Sequence, residues 1–318
     1  DEQPTGMRKL INTYSDSEGN MVVDPDIVKT VQEADRIYIL AAGTSYNAGF
    51  ASKAMLEKLT DTPVELGIAS EWGYNMPLLS KKPMFILLSQ SGETADSRQV
   101  LVKANQMGIP SLTVTNVPGS TLSREATYTM LLHAGPEIAV ASTKAYTAQI
   151  AALAFLAKAV GEANGKKEAL EFDLVHELSI VAQSIEATLS EKDVIAEKVE
   201  SLLKTTRNAF YIGRGKHGTM SLIEEGTPVR GLISSSEAIA SHTRGNIQEV
   251  SARGANVLTV VEEELAKPGD DIVVNQVHPY LTSISMVIPT QLIAYFASLQ
   301  RGLDVDKPRN LAKAVTVE

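Results

Sequence analysis

An α/β fold with two tandem, mostly parallel sheets flanked by helices is what this 318-residue sequence predicts, and three observations predict it. Short unbroken apolar runs alternate with segments of helical spacing, the pattern of βαβ units with right-handed crossovers. Several of these runs end in small polar turns rich in glycine and hydroxyl residues. The second half of the chain then repeats that order in reduced form.

A short amphipathic helix is expected over Gly6–Tyr14, followed by a polar loop. Arg36–Ala42 (RIYILAA) reads as a buried strand ending in Gly43-Thr44-Ser45, with an alanine-rich helix from Tyr46 to about Leu59. Thr62-Pro63 opens a strand over Val64–Ile68, and Ser70-Glu71-Trp72 is a polar segment after it. Met84–Leu88 is apolar without a break, too short for a helix, and runs into Ser89-Gln90-Ser91-Gly92. Helical spacing resumes at Glu93-Thr94 and continues through Val100, Leu101, Val102 and Ala104. Further strands follow at Ser111–Thr115 and Tyr128–Leu132, the first closed by the turn Asn116–Gly119. From Ala145 to about Val160 the pattern is apolar nearly all round, as in a helix buried between layers.

A strand, a small polar turn and a helix N-terminus together make an anion site. Unpaired amides and the positive end of the helix dipole both point into the turn. Ser89–Thr94 has this form, yet lacks the Gly-Lys-Ser/Thr ending of a nucleotide P-loop and the pattern G-x-G-x-x-G. The expected ligand is therefore a small phosphate ester held by hydroxyls and amides. The same residues also suit an ordinary βα turn with good N-cap residues. Ligands of parallel sheets bind outside the carboxyl ends of the strands. That rule gathers Gly43–Ser45, Ser89–Gly92 and Glu137–Lys144 (EIAVASTK) to one edge.

Composition narrows the classes. Apolar content of 44% and charged content of 21% are those of a globular protein. A net charge of −9 argues against a nucleic-acid partner, which favours a basic face. The absence of cysteine excludes disulfides and thiolate chemistry in this chain and fits a reducing compartment. No signal-peptide core opens the chain, and the longest apolar run, Ile150–Leu156, is short of a membrane span. A cytoplasmic protein with no membrane partner is expected. His133, His176, His242 and His278 have no companions at metal-ligand spacing and read as surface or structural residues, so no metal or cofactor is expected. Trp72 reads as core, and Glu71 beside it is a candidate for the pocket wall.

Gly161–Lys167 (GEANGKK) is the linker candidate, dividing the chain into 1–165 and 166–302 with a tail over 303–318. Residues 168–204 carry apolar positions at helical spacing, and Asn208–Ile212 is a strand ending in Gly213-Arg214-Gly215. Pro228–Ile233 is a strand followed by Ser234-Ser235-Ser236-Glu237, an echo of Ser89–Glu93. A helix to Gly254, a strand over Val257–Val261 and a last helix from Thr290 to about Leu299 complete the copy. The copy is short: Gly43 to Met84 is 84 − 43 = 41 residues, whereas Gly213 to Pro228 is 228 − 213 = 15. Fifteen residues barely complete one parallel crossover. A helix and a strand, a segment of roughly 25–30 residues, are expected to be absent between Gly215 and Lys216.

The motifs carry a family resemblance. Ala42–Tyr46 (AGTSY), Ser89–Asp96 (SQSGETAD), Glu137–Lys144, Lys216-His217-Gly218 and Asp306–Lys313 (DKPRNLAK) resemble the sugar isomerase (SIS) part of the glutamine–fructose-6-phosphate aminotransferases. Similarity runs from Glu2 to Glu318. SQSGET marks only the sugar isomerase fold, whereas the tail is specific to the aminotransferases.

The resemblance implies two SIS subdomains, of which the first binds substrate, and a C-terminal tail over the active site. It implies conversion of fructose 6-phosphate to glucosamine 6-phosphate for amino-sugar synthesis, with ammonia from an N-terminal glutaminase domain. Ser89, Gln90, Ser91 and Thr94 would then hold the phosphate, while Thr44, Ser45, Val140, Ser142 and Ala312 contact the sugar. Lys313 matches the lysine that forms a Schiff base with the open-chain ketose. His217 matches the histidine that helps open the ring, reaching across from the neighbouring subunit of a homodimer. The family's general base is a glutamate in the interval absent here. Its glutaminase nucleophile is an N-terminal cysteine, and this chain has none; Ala42 also stands where many members have cysteine. A module that senses sugar phosphates, or another sugar-phosphate isomerase, is the alternative reading.

Overall fold

In the computed structural model, which describes residues 1–203, 209–213, 226–234 and 237–307, the unbroken apolar runs become strands covered on both faces. The first unit, residues 2–179, begins with α1 (Gln3–Tyr14) and α2 (Pro25–Glu33). It continues through β1 (Arg36–Ala41), α3 (Gly43–Thr60), β2 (Val64–Ile68), α4 (Ala69–Tyr74), β3 (Pro83–Ser89) and α5 (Ala95–Gln106). Then come β4 (Ser111–Thr115), α6 (Thr121–Glu125), β5 (Tyr128–Leu131), α7 (Lys144–Ala163) and α8 (Lys167–Glu171). Every strand pair is parallel, in the order β2-β1-β3-β4-β5.

Several boundaries differ from expectation for local reasons. Helix α1 starts at Gln3 rather than Gly6, because Pro4 suits a first helical turn. Helix α2 was not foreseen: Asp24 caps it by accepting from the Asp26 amide, and Ile27 and Val31 turn inward. The polar segment at Ser70–Trp72 is helix α4, and it carries Trp72 into the core. There its ring meets those of Tyr38 and Phe85 at centroid separations of 5.4 and 6.2 Å.

Helix α7 is buried from Thr147 to Gly161 and packs against α1, α2 and α3. Its buried cation, Lys158, donates to Glu162 Oε1 at 2.7 Å and to the Ala169 carbonyl at 2.6 Å. The expected linker at Gly161 is instead part of this helix. A Cβ at Gly161 would lie 2.6 Å from the Leu59 carbonyl oxygen and 2.5 Å from Ala169 Cβ, so the glycine serves close packing.

Helix α9 (Leu174–Ser190) crosses into the second unit, residues 180–308. That unit contains α10 (Lys192–Leu203), β6 (Phe210–Ile212), β7 (Pro228–Ile233), α11 (Glu237–Ala252), β8 (Asn256–Glu262), β9 (Ile272–Val274) and α12 (Thr282–Leu299). Its sheet is parallel in the order β6-β7-β8-β9. This is the order β1-β3-β4-β5 of the first sheet without a counterpart of β2 among the described residues. Strand β9 is only three residues long and gave no periodic signal. Helix α12 starts eight residues before the expected Thr290 and contains Pro289, which costs a helix roughly 3 kcal/mol. Burial of Ile284, Met286, Ile288 and Ile293 along it offsets that cost. By length and composition α12 could cross a membrane; here Met286 and Ile293 join a core cluster with Val260 and Val274.

The repeat also exposes a substitution in kind. Tyr211 pairs with Arg230 as Tyr38 pairs with Phe85, so an arginine occupies the register of a core aromatic. Arg230 is fully buried; its Nη1 donates to the Val229 carbonyl at 3.0 Å, and Nε and Nη2 have no partner among the described residues. Burial holds its guanidinium below the ordinary arginine range. Replacement by an apolar residue, Arg230→Leu, is expected to stabilise the second unit by roughly 1–4 kcal/mol. Thermal unfolding of the two chains checks this, and a lower midpoint in the variant would refute it.

Candidate functional site

The strand order places the reversal of direction between β1 and β3, where parallel α/β sheets bind ligands at their carboxyl edge. The turns after these two adjacent strands are Gly43–Ser45 and Ser89–Thr94. The chain thus brings Thr44, Ser45, Ser89, Gln90, Ser91 and Thr94 to neighbouring strand ends. Val140 and Ser142 lie at the same edge, between β5 and α7. His217, Ala312 and Lys313 lie outside the described residues.

Each turn is held by specific contacts. Ser89 Oγ accepts from the Gly92 amide at 3.0 Å and shares a 2.9 Å hydrogen bond with Thr94 Oγ1. Ser91 Oγ accepts from the Glu93 amide at 3.2 Å. Helix α5 begins at Ala95, and no side chain caps its N-terminus, so its first-turn amides are open to an anion. Gly92 has φ +67°, and a Cβ there would fall 2.0 Å from Ser120 Oγ. Only glycine fits both the angle and the space. The Glu93 carboxylate points away from the turn and accepts from the Thr121 amide at 2.8 Å; bonding to Thr121 holds its pKa below the usual carboxylate range.

Residues with no assigned role at the sequence level brace these turns. The Asn116 amide donates to the Gln90 carbonyl at 3.1 Å, its Nδ2 donates to the Gly135 carbonyl at 2.7 Å, and its Oδ1 accepts from the Ala134 amide at 2.9 Å. Through its backbone amide and its side chain, Asn116 therefore ties the Ser89 turn to the start of the loop before α7. Gln149, buried on α7, donates to Ser45 Oγ at 2.9 Å. A lone glutamine in an otherwise apolar stretch was the signal for it. Expected Thr44 and Ser45 lie in the first turn of α3 rather than in a loop before it, so the α3 N-terminus also faces this edge.

The arrangement suits a phosphate ester: two helix N-termini and several hydroxyls at one edge, with no lysine or arginine among residues 43–45 and 89–94. Gly92→Ala is expected to cost at least ~1 kcal/mol of stability and to abolish phosphate binding at the Ser89 turn. Calorimetric titration with inorganic phosphate, alongside thermal unfolding, checks both effects.

Residues 30–159 match the SIS domain family. The chain is 81% identical over 347 residues to a glutamine–fructose-6-phosphate aminotransferase [isomerizing] of Streptococcus pyogenes serotype M6, and 80% identical to that of Streptococcus mutans serotype c. Each alignment covers all of this chain and 58% of the relative, so the chain spans little more than half the length of these proteins. The C-terminal domain of the glucosamine-fructose-6-phosphate aminotransferase from Francisella tularensis has the same fold, with TM-score 0.87, 28% identity and 96% of each chain covered. The streptococcal alignments hold 347 positions against 318 residues here, so 347 − 318 = 29 positions have no residue in this chain. That length agrees with the segment expected to be absent after Gly215. Residues 30–159 belong to the SIS domain family, and over its whole length the chain is similar to the glutamine–fructose-6-phosphate aminotransferases, with the fold of the C-terminal domain of the Francisella protein.

Proposed function

We propose that this chain binds fructose 6-phosphate in its first unit and is the isomerase half of an enzyme that makes glucosamine 6-phosphate. The observation that carries the reading is the Ser89–Thr94 turn with its uncapped helix, set beside Thr44 and Ser45 at the reversal point of the sheet. The names of the 81% and 80% identical relatives support the substrate. In this reading residues 1–165 hold substrate, 166–302 form a second SIS subdomain, and 303–318 are a catalytic tail. Ammonia comes from a separate glutaminase domain, because this chain has no cysteine to act as nucleophile. A homodimer and a cytoplasmic location complete the proposal.

The chemistry assigns the remaining roles. A cyclic ketose must open before its C2 carbonyl reacts; a histidine is the side chain suited by its ordinary pKa to moving that proton, and the role falls to His217. The Lys313 amine then attacks C2 and loses water to give an iminium, which acidifies the C1 protons. A general base must carry a proton between C1 and C2; by the family resemblance it is a glutamate of the interval absent between Gly215 and Lys216. This absence favours a second reading, in which the chain binds sugar phosphate without completing isomerisation and acts as a sensing module.

Borohydride reduction in the presence of fructose 6-phosphate is expected to trap the sugar on the wild-type chain and not on Lys313→Ala; trapping that survives the change rules out Lys313. Co-purified heterodimers of His217→Ala and Lys313→Ala chains are expected to recover ring-opening and trapping at one site in the pair. No recovery in heterodimers would exclude sites shared between subunits. Trapping without any glucose 6-phosphate formation would select the sensing reading.

A further inference from the structure

We propose that Glu137 sets the hydrogen-bond polarity of Ser142, making it an acceptor toward the sugar; this rests on the reading of the first unit as a fructose 6-phosphate site. Glu137 lies in the loop between β5 and α7 with only 9% of its surface exposed. Its Oε2 accepts from Ser142 Oγ at 2.7 Å. Its Oε1 accepts from the Thr143 amide at 2.6 Å, with longer contacts from Thr143 Oγ1 and the Ala145 amide at 3.4 Å. A carboxylate taken out of water needs such donors, and all of these come from residues 142–145. One side chain therefore closes the loop on itself and fills the N-terminus of α7.

The consequence for Ser142 is chemical as well as positional. A serine hydroxyl has one proton and two lone pairs. An ionised carboxylate can only accept, so the 2.7 Å contact commits the Ser142 proton to Glu137. What Ser142 can offer a ligand is a lone pair, and the ligand group that fits is a hydroxyl that donates. Glu137 acts through Ser142 and the loop, as a positioning and specificity-determining residue. Among the described residues its hydrogen bonds go to residues 142–145 and not to the Ser89 turn, so its replacement is expected to leave residues 89–94 in place.

The substitution Glu137→Gln separates polarity from support. A glutamine carbonyl can still accept from the Thr143 amide, while its NH2 must donate to Ser142 Oγ, which releases the serine proton toward the ligand. In calorimetric titrations of the 318-residue chain, Glu137→Gln is expected to weaken fructose 6-phosphate at least tenfold. The affinity for inorganic phosphate is expected to stay within twofold and the unfolding midpoint to stay near wild type. Ser142→Ala should weaken fructose 6-phosphate likewise, and Glu137→Gln/Ser142→Ala should be no weaker than Ser142→Ala alone. Unchanged fructose 6-phosphate affinity in Glu137→Gln, equal losses for both ligands, or additive losses in the double variant would each overturn the proposal. A wild-type chain that binds phosphate but not fructose 6-phosphate defeats the functional reading instead. Amide exchange then decides the role of Glu137: Glu137→Ala is expected to speed exchange at Thr143 and Ala145 at least tenfold, and unchanged rates would refute it.

Discussion

The pairing of β1 with β3, in parallel register from Arg36↔Pro83 to Ala41↔Leu88, is the contact on which the candidate site depends. These strands are not consecutive, since β2 lies on the far side of β1. Connections therefore leave β1 and β3 toward opposite ends of the sheet, and a crevice opens between the turns that follow them. Both turns lead directly into helices, so two sets of unpaired amides converge there without a positively charged side chain. The residues that fix the register, Ile37–Ala41 and Met84–Leu88, are buried within the sheet. They are nevertheless what makes the edge a site.

Around that edge the protein uses polar side chains, two of them buried, to hold short loops still. Asn116, Glu137 and Gln149 each join segments distant in sequence or close a loop on itself. Desolvating an amide or carboxylate is costly unless its partners are all supplied. These three are supplied largely from backbone amides, carbonyls and serine hydroxyls, whose places are set by strand and helix ends. Rigid elements thereby fix the turns, and the turns in turn fix the few hydroxyls available to a ligand.

The second unit shows the same plan under looser constraint. Its four strands keep the parallel order of the first sheet, and the pairing of Tyr211 with Arg230 repeats that of Tyr38 with Phe85. In the first sheet, Trp72 from the helix after β2 closes over that pair. In the second sheet the described residues contain no counterpart of β2, and Tyr211 is 40% exposed. A buried guanidinium with only Nη1 bonded among the described residues is the kind of local conflict a consistent core avoids. The 29 positions filled in the streptococcal relatives account in length for a strand and a helix.

How much of this was legible beforehand follows from the range of the forces involved. Apolar runs bounded by glycine and hydroxyl turns determined the α/β class, nearly all the strands and the gathering of three polar turns to one edge. Each of those features depends on residues within a few positions of one another. The resemblance of the motifs then placed the chain among the SIS proteins. Helix α2, helix α4 and strand β9 escaped because their short patterns acquire meaning only when a neighbouring layer covers one face. Gly161 read as the start of a linker because a glycine in a polar run has no local tell for close packing. The bracing roles of Asn116, Glu137 and Gln149 depend on partners up to 104 residues away, as in Gln149 to Ser45. The sequence by itself determined which turns could hold a phosphate, since turn chemistry and helix ends are local. Only the tertiary structure decided which side chains hold those turns, because a buried hydrogen bond is specified by the meeting of two segments that neither encodes alone.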